Sequence, residues 1–147
     1  MLVFDYLSTG PRERLRLVAH PVTLRRGGNA SLVGAVEALI DHRPARGHAT
    51  VWRGLCRPGV GVRSVEVGRV VTVTLRGFGP DGSVNPICHI ARTAVLAQQQ
   101  QLAWTVRAAL HRDVPVRVVL RGGVQVWRAT RARTRYLDPQ TAARVLG

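Results

Sequence analysis

The chain has 147 residues, 46% of them hydrophobic, with 22 basic against 8 acidic side chains and a formal charge of +14. That length builds one domain around one core, and the hydrophobic fraction excludes a disordered chain. No apolar run reaches the roughly 18 residues of a membrane-crossing helix. All the cations are arginine, as codon bias in a GC-rich genome produces, and a surface this basic attracts nucleic acid, anionic lipid or wall polymers through its field alone.

Leu2-Val3-Phe4-Asp5-Tyr6-Leu7 reads as a strand, Ser8-Thr9-Gly10-Pro11 as a turn, and Leu15 to Ala19 as the return strand of a hairpin. Met1 to Leu7 is too short, and with Asp5 too polar, for a secretory leader. The expectation is a cytosolic protein, or an exported one whose leader lies outside this sequence. After a loop at Arg25-Arg26-Gly27-Gly28, Asn29 or Ser31 can cap a helix over about 30–41. Its Leu32, Val36, Leu39 and Ile40 share one face at helical spacing. Pro44 ends it, and His42 to Thr50 reads as a polar connection.

Val60, Val62, Val65 and Val67 lead to Gly68-Arg69, beyond which Val71, Val73 and Leu75 alternate with Val70, Thr72 and Thr74. Two residues with glycine first suit a type II′ hairpin turn. Asn85-Pro86 starts a second helix, asparagine capping and proline at the first helical position. This helix is predicted to run to about His111, with Val95, Leu102, Val106 and Leu110 buried and Gln98, Gln99 and Gln100 at a partly exposed middle. Val116, Val118 and Leu120 make a central strand, Gly122-Gly123 turns it, and Val124 to Trp127 adds an edge strand with Trp127 outward. The rest is basic and irregular, docked at Tyr136-Leu137. The order β-β-α-β-β-α-β-β predicts a single α+β domain, a mixed or antiparallel sheet with both helices on one face. Its parts are an N-terminal hairpin at 1–28, a core at 29–127 and a basic tail at 128–147.

Five segments in this order resemble the GerMN domain of bacterial sporulation and spore-germination proteins and actinobacterial lipoproteins. They are Ala35 to Ile40; the turn Gly54-Leu55 with Pro58-Gly59; Val73-Thr74-Leu75; Gln100 to Val106; and Val114 to Gly122. Thr134 to Leu137 is similar to a late stretch of actinobacterial members, and the resemblance spans roughly 2–137. Thr74 and Arg121 stand where the family usually carries acids, so the work of those carboxylates is absent here. The resemblance implies a ring-building-motif-like module of the cell envelope. It would act outside the cytoplasm through protein partners or self-association, without catalysis or cofactor.

Cys56 precedes the first strand of the central hairpin and Cys88 follows the second, which places both at one open end and allows a disulfide. It would close a loop of about 30 residues and contribute roughly 3 kcal/mol. Cys88-His89 is the closest pair of soft ligands, while His48, Cys56 and His111 are scattered. With no C-x-x-C or H-x-x-x-H spacing, no metal site is expected, and nothing orients a catalytic base or oxyanion donor. Trp104 reads as a core aromatic. Arg128, Arg131, Arg133 and Arg135 crowd the tail and are the candidate contacts to an anionic polymer or membrane surface. A cytosolic protein binding nucleic acid non-specifically through its arginine faces is the alternative function.

Overall fold

The computed structural model describes residues 2–8, 15–22, 32–50, 52, 61–76, 92–120, 125–133 and 136–137. Within them lie β1 (Leu2–Ser8), β2 (Leu15–Pro21), α1 (Leu32–Asp41), β3 (His48–Ala49) and β4 (Gly61–Glu66). Then come β5 (Val71–Arg76), α2 (Arg92–Leu110), β6 (Val116–Leu120), β7 (Gln125–Thr130) and β8 (Tyr136–Leu137).

The α+β class and the order of the main elements are those read from the sequence. The strands, however, divide between two four-stranded sheets, ordered β3-β1-β2-β8 and β4-β5-β6-β7. In the first, β1 and β2 pair antiparallel from Leu2↔Pro21 to Ser8↔Leu15. The short β3 and β8 extend that hairpin at opposite edges, through Leu7↔His48 and Arg16↔Tyr136. The tail therefore docks at Tyr136-Leu137 as expected, but as a strand rather than a side-chain contact. In the second sheet β5 and β6 run parallel while β4 and β7 pair antiparallel at the edges. The parallel pair needs a long crossover, and α2 supplies it.

Alternation sets the inner face of the second sheet. Val71, Val73 and Leu75 of β5 and Val116, Val118 and Leu120 of β6 are buried. The opposite face carries Thr72, Thr74, Arg117, Val119 and Val126, and Val126 is 54% exposed. The helices pack on each other, α1 also touching β1 and β4, and α2 touching β1, β6 and β7. One helix pair thus serves both sheets, and its apolar side chains join theirs in a single core.

Three local expectations are corrected. Glu66 pairs with Thr72, whereas a two-residue Gly68-Arg69 turn would pair it with Val71. Gly68 also lacks the positive φ that a type II′ turn requires. Trp127 is not outward but 5% exposed, packed 6.2 Å from Trp52 between ring centroids. Its partner position on β6 is Val118, an inner-face residue. Of the glutamines expected at a partly exposed middle of α2, Gln99 is half-buried as expected, but Gln98 and Gln100 are at most 2% exposed, and so is the neighbouring Gln101. Trp104 is buried as expected, at 9% exposure.

Helix α2 ends at Leu110, and His111 follows in the left-handed region with φ 54°. Chain reversal after a helix favours that conformation, which glycine adopts without steric cost. Residues 77–91 and 53–60 lie outside the described residues, and with them the predicted cap at Asn85-Pro86 and both Cys56 and Cys88.

Candidate functional site

Two regions gather polar and charged side chains that the strand and helix patterns do not require. The first centres on Asp5, in the middle of β1 and fully buried. A carboxylate without water needs donors to replace it. His42, one residue beyond α1, supplies one that both oxygens share: its Nε2–H donates to Asp5 Oδ1 at 2.7 Å and Oδ2 at 2.8 Å. The other face of the ring meets the end of α1, where Nδ1–H donates to the carbonyls of Ala38 and Leu39 at 3.0 Å each. Helix C-termini leave their last carbonyls without intrahelical donors, so His42 caps α1 and bolts it to β1 at once.

Both ring nitrogens of His42 face oxygen atoms, an arrangement that a proton on each, the imidazolium, satisfies. Burial opposes that charge. The hydrogen bond and negative charge of Asp5, with the two backbone carbonyls, outweigh burial and raise the His42 pKa above its ordinary value. The result is an ion pair with side chains 5% and 0% exposed.

Gln101 of α2 adds a second donor. Its Nε2–H donates to Asp5 Oδ1 at 3.3 Å and to Thr50 Oγ1 at 2.7 Å. Nearby, the Tyr6 hydroxyl donates to the Ala97 carbonyl at 2.9 Å and Trp52 Nε1–H to the Gln98 carbonyl at 3.3 Å. Burial pushes the Tyr6 phenol pKa upward, so it stays a neutral donor.

Two further histidines complete this region. His20 lies opposite Val3 in the β1–β2 ladder and His48 opposite Leu7 in the β1–β3 ladder. Directly paired residues share a sheet face, as do residues two apart on one strand. His20, Asp5 and His48 therefore sit in a diagonal on one face, with potential metal-ligating atoms all within 4.8 Å of one another. The His20 ring centroid is 5.8 Å from those of both His42 and His48. Three of the chain's five histidines thus meet around one carboxylate. Metal-ligand spacing along the sequence gave no sign of them, because they and Asp5 come from four different segments.

The second region is basic. Arg128, Arg131 and Arg133 are exposed on β7 and the segment after it, and Arg135 lies outside the described residues. Glutamines of α2 fix their backbone: Gln99 Nε2–H donates to the Arg128 carbonyl at 2.9 Å, and Gln100 Nε2–H to that of Arg131 at 3.0 Å. Gln100 Oε1 accepts from the Arg133 N–H at 2.9 Å. Arg131 reaches the Asp113 carbonyl at 3.3 Å and its carboxylate at 3.7 Å. Asp113 in turn lines an open depression of about 420 Å³ with Phe4, Trp104, Arg107, His111 and Arg112. The Arg107 guanidinium carbon lies 5.0 Å from the Trp104 ring centroid, a cation–π contact. Arg131 thus links the tail arginines, through Asp113, to those at the end of α2, on a backbone that the side chains of Gln99 and Gln100 hold in place.

No helix among the described residues is long and apolar enough to cross a membrane. No known protein family, curated protein or solved structure matches the chain.

Proposed function

We propose that this protein is a non-enzymatic protein-interaction module of the GerMN type, belonging to a cell-envelope or sporulation- and germination-associated assembly. It works by binding a protein partner or a second copy of itself. The observation that carries this reading is the outer face of the second sheet. The helices cover the inner face, whereas the outer face presents Thr72, Thr74, Arg117, Val119 and the exposed Val126. A pleated, half-apolar face on a sheet is a platform for packing another sheet or helix against it, and the β4 and β7 edges could take an added strand.

Light scattering over a wide concentration range tests self-association, and in-cell crosslinking from Val126 tests the partner version. Concentration-dependent dimers or a crosslinked envelope protein support the proposal. A monomer at every concentration, together with no crosslink from Val126, overturns it.

A second reading rests on the exposed arginines: Arg107 and Arg112 line the depression beside Trp104, Arg131 reaches its Asp113, and Arg128 and Arg133 flank Arg131 in the chain. It supports contact with an anionic polymer, nucleic acid included. Binding of a mixed-sequence duplex that survives physiological salt favours this reading. Binding confined to low salt is the generic effect of charge.

A further inference from the structure

We infer that Asp5, His20 and His48 form a binding site for an imidazole-seeking divalent transition-metal ion, zinc foremost, which clips the two-residue strand β3 across the face of β1 and β2. Three observations converge on it. The first is register: His20 and His48 occupy the two diagonal positions flanking Asp5, one on each neighbouring strand. Diagonal neighbours on a sheet face stand about 7–8 Å apart at the backbone, within reach of imidazole rings that lean inward.

The second is an orphaned atom. His48 Nδ1 is buried without a hydrogen-bond partner among the described residues. A buried lone pair or N–H left unpaired is costly, and a metal ion satisfies a ring nitrogen where no protein donor stands.

The third is the coordination of Asp5. A carboxylate offers about four acceptor directions; His42 and Gln101 make three contacts to it and leave room for a cation. These two donors also orient the carboxylate, as outer-shell partners do around metal ligands.

Two imidazoles and one carboxylate suit zinc, copper, nickel or iron and suit calcium or magnesium poorly. Ligand atoms around tetrahedral zinc lie about 3.4 Å apart. The present separations, within 4.8 Å, close to that value by rotating His20 and His48, which are only partly buried. Three protein ligands leave a fourth position facing solvent. The consequence is mechanical. Only Tyr6↔Ala49 and Leu7↔His48 pair β3 with β1, and a bond from His48 through the ion to Asp5 and His20 would hold that edge in place.

The test uses the whole chain, stripped with chelator and titrated with zinc chloride in a calorimeter. The expected result is about one zinc per chain in a tetrahedral site, with His20→Ala and His48→Ala each weakening binding at least about tenfold. His111→Gly, outside the cluster, leaves it unchanged. Zinc-edge absorption spectroscopy on the unmutated protein reads the ligands without relying on any variant folding. A shell with two imidazoles and no sulfur supports the assignment. A sulfur-containing shell places the ion on cysteine and overturns it, as does stoichiometric binding retained by the folded double variant, or no binding by the wild type. Zinc should also slow amide exchange at Ala49; an unchanged rate removes the clip.

Discussion

Replacing Asp5 by alanine removes one carboxylate and leaves two elements without their attachment. The His42 imidazolium keeps its bonds to Ala38 and Leu39 but loses the charge that balances it, with its side chain only 5% exposed. Gln101 loses one acceptor and keeps Thr50. Breaking a buried ion pair from one side costs up to about 3–5 kcal/mol; His42 can lower that by losing its proton, but its Nε2 then lacks the carboxylate that held it. Against a total stability of about 5–15 kcal/mol for a domain, that is a large share. Urea denaturation followed by tryptophan fluorescence, with chelator present, should show this loss. Asp5→Asn should lose less, since a neutral His42 can accept from the amide at Nε2 and still donate from Nδ1. The double variant Asp5→Ala/His42→Ala should be more stable than the sum of the single losses by about 2–3 kcal/mol.

The pH dependence follows with a definite sign. His42 carries a raised pKa when folded, so its contribution is complete below the unfolded value of about 6.5. It is lost as pH rises through the folded pKa. In chelator, wild-type stability should therefore fall as pH is raised above neutrality, and His42→Gln should lack that fall. An Asp5→Ala cost below about 1 kcal/mol, or strict additivity in the cycle, would refute the ion pair as the bolt between α1 and β1.

Gln100→Leu removes two part-buried hydrogen bonds to the segment after β7 and should cost about 1–3 kcal/mol in urea denaturation. Amide exchange at Arg133 should quicken in the same variant; an unchanged rate would mean that α2 does not anchor that segment. His111→Gly relieves a left-handed non-glycine residue and should stabilise by about 1 kcal/mol, visible as a higher denaturation midpoint. Trp127→Phe keeps the ring packed against Trp52 and deletes an Nε1–H that has no partner among the described residues. It should cost under about 1 kcal/mol, against about 3–5 kcal/mol for Trp127→Ala; equal losses would show that the indole N–H is satisfied after all. Changing Arg128, Arg131 and Arg133 to glutamine should lower the salt slope of any duplex-DNA binding by up to about 2.7, and an unmoved slope would exclude this surface as the contact.

Local periodicity determined much of the scaffold. The period-two valines of β5 and β6 chose their buried face before any partner was known, since a strand's side chains alternate whatever it pairs with. The spacing of Leu32, Val36, Leu39 and Ile40 did the same for α1, and Tyr136-Leu137 marked where the tail docks. What escaped was whatever depends on the company a residue keeps. Trp127 and the α2 glutamines look like surface residues by composition. Trp127, Gln98, Gln100 and Gln101 are buried all the same, because packing between distant segments covers them and because an amide such as that of Gln100 can satisfy backbone groups beyond the end of β7. The division into two sheets turns on the pairing of β3 and β8 with the first hairpin, which chain-local signals do not encode.

The histidines make the contrast sharpest. Residues 5, 20, 42 and 48 show no motif, because no spacing rule links a strand centre, a return strand, a helix end and an edge bridge. Antiparallel register alone placed His20 and His48 diagonally about Asp5, and only helix packing brought His42 to the same carboxylate. The sequence by itself determined which faces are apolar, because side-chain periodicity is a property of the local backbone. Only the tertiary structure decided which polar groups meet, because that depends on register and packing between segments far apart in the chain.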